Sequence, residues 1–158
     1  MLFKFKLLLF ICIIGFFTGC ATPEVDHSKS ISLLIKSKIL KVNDAGFIHF
    51  YKNYTNVQIY NSGKSVLNLN IKDKICINNA CENKTEFNKK FFLNAHYEDL
   101  LEDILEARAI YDGKNLVKTN CGFEQNLRNI SVEYKICGGE VRFTDQKNGI
   151  KIVMKELN

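Results

Sequence analysis

"NVQIYNSGKSVLNLNIKDKICINNACEN", residues 56–83, is the stretch on which the fold turns. Apolar and polar side chains alternate through it with a period of two, the spacing of a strand with one buried face. Within 65–71, Leu67, Leu69 and Ile71 share one side, and Asn68 and Asn70 the other. Asn78-Asn79 suits a two-residue hairpin turn. That turn pairs Ile77 with Ala80 and sets Cys76 opposite Cys81 at a non-hydrogen-bonded position, with Cα atoms roughly 4.5 Å apart. A disulfide spans about 4.4–6.8 Å. The expected bridge is Cys76–Cys81, which leaves Cys121 for Cys137. A zinc site using His96 and free buried thiols are the alternatives.

Outward from this meander the same alternation continues. Residues 30–42 read as one long opening strand, followed by strands at 46–53 and 56–61. On the far side, 129–137 places Ile130, Val132, Tyr134 and Ile136 on one face. Gly138-Gly139 turns the chain into 140–145, and Asn148-Gly149 is a hairpin signal leading into 150–157. Between the halves, Tyr97, Leu100, Leu101, Ile104 and Leu105 recur at helical spacing, which predicts a helix over 97–110 with Glu98, Glu102 and Glu106 opposite. A shorter helix is expected over 85–93, with Phe87 and Phe91 on one side.

Strands, then helices, then strands imply an α+β fold: a curved antiparallel sheet, an incomplete barrel, with helices packed over its concave face. Seven or eight strands present more apolar surface than two helices cover. The expected consequence is an apolar cavity, with Phe47, Leu67, Leu69, Leu101, Ile104, Val132, Tyr134 and Ile152 as its candidate lining.

The N-terminus has a different character. Lys4 and Lys6 precede an uninterrupted apolar run over 7–17, nearer a signal-peptide core than a bilayer span of about 20 residues. Thr18-Gly19 then precede Cys20. This segment resembles bacterial lipoprotein signal peptides, whose lipobox ends in small, small, Cys. The resemblance implies cleavage after residue 19 and an acyl anchor on Cys20. Ala21 after the cysteine favours the outer membrane. The expected organisation is a signal peptide over 1–19, a lipidated tether over 20–30 with the chain's one proline, Pro23, and a single domain over 31–158.

Composition excludes some roles. A net charge of +5, two units of it from Lys4 and Lys6, is too mild to call for nucleic acid. Gly63-Lys64-Ser65 lacks the earlier glycine of a phosphate loop, because position 58 is Gln58. His27, His49 and His96 show no metal-ligand spacing. No nucleophile elbow is present. The expectation is a non-enzymatic protein without cofactor or metal.

With this element order in view, residues 46–157 resemble the LolB/LolA family of lipoprotein receptors and carriers. The similarity is carried by 56–92, by "HYEDLLEDILEARAIYDG" (96–113) and by "GFEQNLRNISVEYKICGGEVRFTDQKNGIKIVMKEL" (122–157). The chain departs from that family in lacking tryptophan and a large apolar residue in the 61–65 loop. The resemblance implies an incomplete barrel around a cavity for lipoprotein acyl chains. The implied partners are membrane lipid, through the protein's own anchor, and the acyl chains of other lipoproteins or a periplasmic carrier. The alternative is an accessory lipoprotein whose sheet packs on a protein partner in an envelope assembly.

Overall fold

The computed structural model describes residues 24–157. The expected signal peptide and Cys20 lie outside that range. Eleven strands form one antiparallel sheet: β1 (Val25–Lys36), β2 (Lys41–Tyr51), β3 (Tyr54–Asn61), β4 (Lys64–Ile71), β5 (Lys74–Ile77), β6 (Ala80–Asn83), β7 (Leu116–Thr119), β8 (Gly122–Leu127), β9 (Val132–Cys137), β10 (Glu140–Asp145) and β11 (Ile150–Glu156). Their spatial order is β6-β5-β4-β3-β2-β1-β11-β10-β9-β8-β7, so β1 and β11 join two meanders in the middle and β6 and β7 are free edges. Two short helices, α1 (Lys84–Phe91) and α2 (Leu100–Leu105), lie in the link between those edges.

The expected α+β class is overturned. Residues 24–157 are all-β, and among the described residues the longest helix is α1 at eight residues. The helix expected over 97–110 shrinks to six residues because the chain turns left-handed at Ala107, with φ of 56°. The Arg108 N–H then donates to the Asp103 carbonyl at 2.8 Å, and the Ala107 N–H to Ile104, closing the helix in a Schellman motif. Beyond it, the Gln125 amide takes over the backbone. Its Oε1 accepts from the Ile110 N–H at 2.9 Å, and its Nε2 donates to the Ile110 and Lys114 carbonyls. Residues 116–127 become the β7–β8 hairpin, which the alternation pattern did not indicate.

The opening strand also divides. Ser37 Oγ donates to the Leu40 carbonyl and accepts from the Leu40 N–H, folding residues 37–40 into a turn between β1 and β2. At its other end β1 starts at Val25, so residues 25–30, expected as tether, belong to the sheet.

One face of this sheet is buried across its central strands. Ile31, Leu33 and Ile35 on β1, Ile48 on β2, Leu67 and Leu69 on β4, Phe143 on β10 and Ile152 on β11 belong to one apolar core. Curvature follows from how α2 sits. β3 and β9 are five strands apart, about 24 Å if the sheet were flat, whereas a helix is about 10–12 Å across. Yet Glu106 at the end of α2 accepts a hydrogen bond from Thr55 on β3, and the Tyr134 hydroxyl on β9 lies 3.5 Å from the Asp103 carbonyl. The sheet must curl around the helix for both to hold. A register shift at Ile59/Tyr60 and a close approach at Gly46 contribute to that bend. A Cβ on Gly46 would stand 1.9 Å from the Gln58 carbonyl oxygen, so no larger residue fits.

The helical link is fastened by polar contacts. Lys84 at the start of α1 reaches Asp99 at 2.6 Å and Glu102 at 2.7 Å. The buried Asn88 amide donates to the carbonyls of Tyr97 and Glu98. Burial lowers the Lys84 pKa, and its two carboxylate partners outweigh that and leave it raised.

Candidate functional site

Both disulfides are present. Cys76 and Cys81 face each other across the β5–β6 hairpin, 4.0 Å apart at Cα, and both turn residues, Asn78 and Asn79, adopt positive φ. Cys121, in the β7–β8 turn, is bridged to Cys137 at the end of β9. These pairs exclude the zinc and free-thiol alternatives. Among the described residues no cluster of three or more His, Cys, Asp or Glu could hold a metal ion, and no helix is long and apolar enough to cross a membrane.

The candidate cavity residues divide. Leu67 and Leu69 (β4), Leu101 and Ile104 (α2), Val132 and Tyr134 (β9) and Ile152 (β11) all point inward and are buried in the core. They pack against one another and against the helices, so they line a filled interior and not a void. Phe47 is corrected outright. It stands on the outward side of β2 and is 44% exposed.

The interior opens at one crevice of about 80 Å³, between the end of α2 and both halves of the sheet. Ile31, Ile48 and Phe50 wall one side, and Ile136, Val141 and Met154 the other, with Leu105 and Ala107 between them. Lys29 and Glu156 form a 2.9 Å ion pair on its rim. Small-molecule sites usually measure about 300–1,000 Å³, so this crevice is too small to enclose a ligand as it stands.

A second interior feature is polar and was not legible in the sequence. His96, 7% exposed, is hydrogen-bonded through Nδ1 to the Tyr111 hydroxyl, while its Nε2 is buried without a partner. Asp145, also buried, accepts from the Asn148 N–H at 3.0 Å and from its side-chain amide at 2.7 Å. Burial lowers the His96 pKa, with Asp145 pulling the other way. Burial and Asp145 together push the Tyr111 hydroxyl up to about 12. The arrangement holds a neutral imidazole beside a buried carboxylate under Phe92, whose ring meets His96 edge-on at 5.3 Å.

The outward side differs between the two halves. On β1–β4 the register places Ser28, Ser30 and Ser32 beside Asn43, Ala45, Phe47 and His49, then Asn56, Gln58 and Tyr60, then Ser65, Asn68 and Asn70. On β8–β11 the same side carries Glu124, Glu133, Lys135, Glu140, Arg142, Lys151 and Lys155. No protein-family model and no curated protein matches this chain.

Proposed function

We propose that the protein is a lipid-anchored envelope lipoprotein that receives an acyl chain at the crevice beside α2, as in LolB-type insertion of lipoproteins at the outer membrane. The observation that carries this reading is the crevice itself. It lies where the end of a six-residue helix meets the apolar core inside an open sheet. A chain entering there displaces the end of α2 and exchanges one apolar surface for another, which costs little. The acyl anchor on Cys20 would hold that opening at the membrane, since β1 begins only five residues later.

The test is competition between palmitate and an apolar fluorescent probe on the full chain in detergent. Saturable, palmitate-sensitive uptake supports the reading, and absence of uptake by the folded protein overturns it. In cells, depletion should cause other lipoproteins to accumulate in the inner membrane.

One observation favours an accessory role instead: the interior is already packed. The partner would then sit on the charged outward half, over the hollow of about 280 Å³ lined by Glu124, Glu133, Lys135 and Arg142. Cross-linking that recovers one constant protein, lost on charge reversal of Lys135 and Arg142, would decide for that role.

A further inference from the structure

Between the Lys36–Lys41 pair at one end and the other strand ends, the outward side of β1–β4 carries no Asp, Glu, Lys or Arg, although a quarter of the chain is charged. Of the four lysines of these strands, Lys36, Lys41 and Lys64 sit at strand ends, and Lys29 lies on the other side, at the crevice beside α2. In the middle stand two aromatic rings with no cover: Phe47 is 44% exposed and Tyr60 37%. Their centroids lie 6.3 Å apart, edge to face, and the Phe47 ring is roughly parallel to His49 at 6.1 Å, so the three rings form one aromatic patch.

Around the rings is an array of amides held in place by one another. The Asn56 amide donates to Asn68 Oδ1 at 2.7 Å and to Asn70 Oδ1 at 2.8 Å. The Tyr60 hydroxyl donates to Gln58 Oε1 at 2.7 Å. The remaining atom of the array, Asn56 Oδ1, is buried with no hydrogen-bond partner, on a residue only 4% exposed.

We propose that this face binds a neutral glycan. A sugar chain offers what the block lacks and needs nothing that it does not have. Its C–H faces stack on aromatic rings, and its hydroxyls both donate and accept, as carboxamides do. An anionic ligand would find no cation here. An apolar surface would leave the amides unpaired, at a desolvation cost. The buried Asn56 side chain lies behind this layer and fixes the Asn68 and Asn70 amides that a sugar would meet. The strands fix these groups about 4.8 Å apart, so the site is preformed. It is independent of the acyl-chain reading.

The test is calorimetric titration of the full chain in detergent with chitotetraose, with maltotetraose and with a heparin tetrasaccharide. The expected result is saturable binding of a neutral tetrasaccharide, insensitive to salt because no ion pairs form. Phe47→Ala and Tyr60→Ala should each weaken it about tenfold while leaving apolar-probe uptake unchanged. Binding of chitotetraose alone assigns an N-acetylated glycan, and of maltotetraose alone a hexose polymer; both support the proposal. It is overturned by no binding of either at millimolar concentration, by binding of heparin only, or by an affinity that both substitutions leave intact. A concentration-dependent dimer abolished by Phe47→Ala would also overturn it, by assigning the face to a second copy.

Discussion

The two meanders of the sheet share one interior and present opposite exteriors. Outside β1–β4 the chain shows serines, amides and bare rings; outside β8–β11 it shows paired charges, with Arg142 on Glu140 and Lys135 4.0 Å from Glu124. Inside, the halves are continuous: Phe92 in the helical link touches Phe143 on β10 at 5.6 Å and Phe91 at 4.7 Å, and α2 contacts β3 and β9 at once. Stability is therefore a property of the whole curl.

The shared interior is broken by removing a ring from it. Phe143→Ala should cost about 3–5 kcal/mol in denaturant unfolding, and both halves should lose amide protection together. Loss confined to β9–β11 would show that the halves fold independently.

The bridges sharpen the comparison, since each clips a different half. Cys121–Cys137 closes a separation of 16 residues and Cys76–Cys81 one of 5. In the chain-entropy view the longer loop is worth about 3 kcal/mol and the shorter about 2 kcal/mol. Replacing each pair by Ser and comparing unfolding midpoints checks the order, which reverses if the β5–β6 hairpin is the weaker half.

How much of this was legible in the sequence differs by half too. The β4–β6 meander announces itself because one face alone is apolar, the turn is Asn-Asn and the cysteines flank it at matched positions. The β2 segment misleads: Phe47 and His49 on one side look as strand-like as Ile48 and Phe50 on the other, so alternation cannot choose the inner face. The β7–β8 hairpin is silent because of what it buries. Its fully buried side chains are Leu127 and Gln125, and Gln125 acts through backbone hydrogen bonds that no periodicity reveals. The helix over 97–110 was overextended for a similar reason. Its apolar stripe is real, but the stop at Ala107 is a left-handed residue without the glycine that usually marks one. At the candidate site, the interior residues were recognisable as apolar, whereas their tight packing depends on curvature that a linear pattern does not encode.

Smaller effects separate the two halves further. His96 sits under Phe92 with its pKa below the ordinary 6.5, so the unfolded chain binds the proton that the folded one refuses. Its contribution is complete above pH 6.5 and is lost as pH falls toward the lowered folded pKa. The melting temperature should drop between about pH 7 and pH 5, and His96→Phe should flatten that slope. A pH response unchanged in the variant would move the effect to the carboxylates. Smallest of all, Lys135→Ala on the charged exterior removes an exposed, long ion pair and should shift stability by about 0–1 kcal/mol.

An open sheet of eleven strands has two unsatisfied backbone ladders, and such ladders can template further strands. Here each border strand, β6 and β7, is four residues long, roughly 13 Å. Cys81 rivets the outermost strand on one side to its neighbour, and Cys121 ties the hairpin on the other to β9. An incoming chain meets a short, stapled margin instead of the twelve-residue run of β1, which is sheltered at the centre. Short, cross-linked margins of this kind offer little backbone for edge-to-edge pairing.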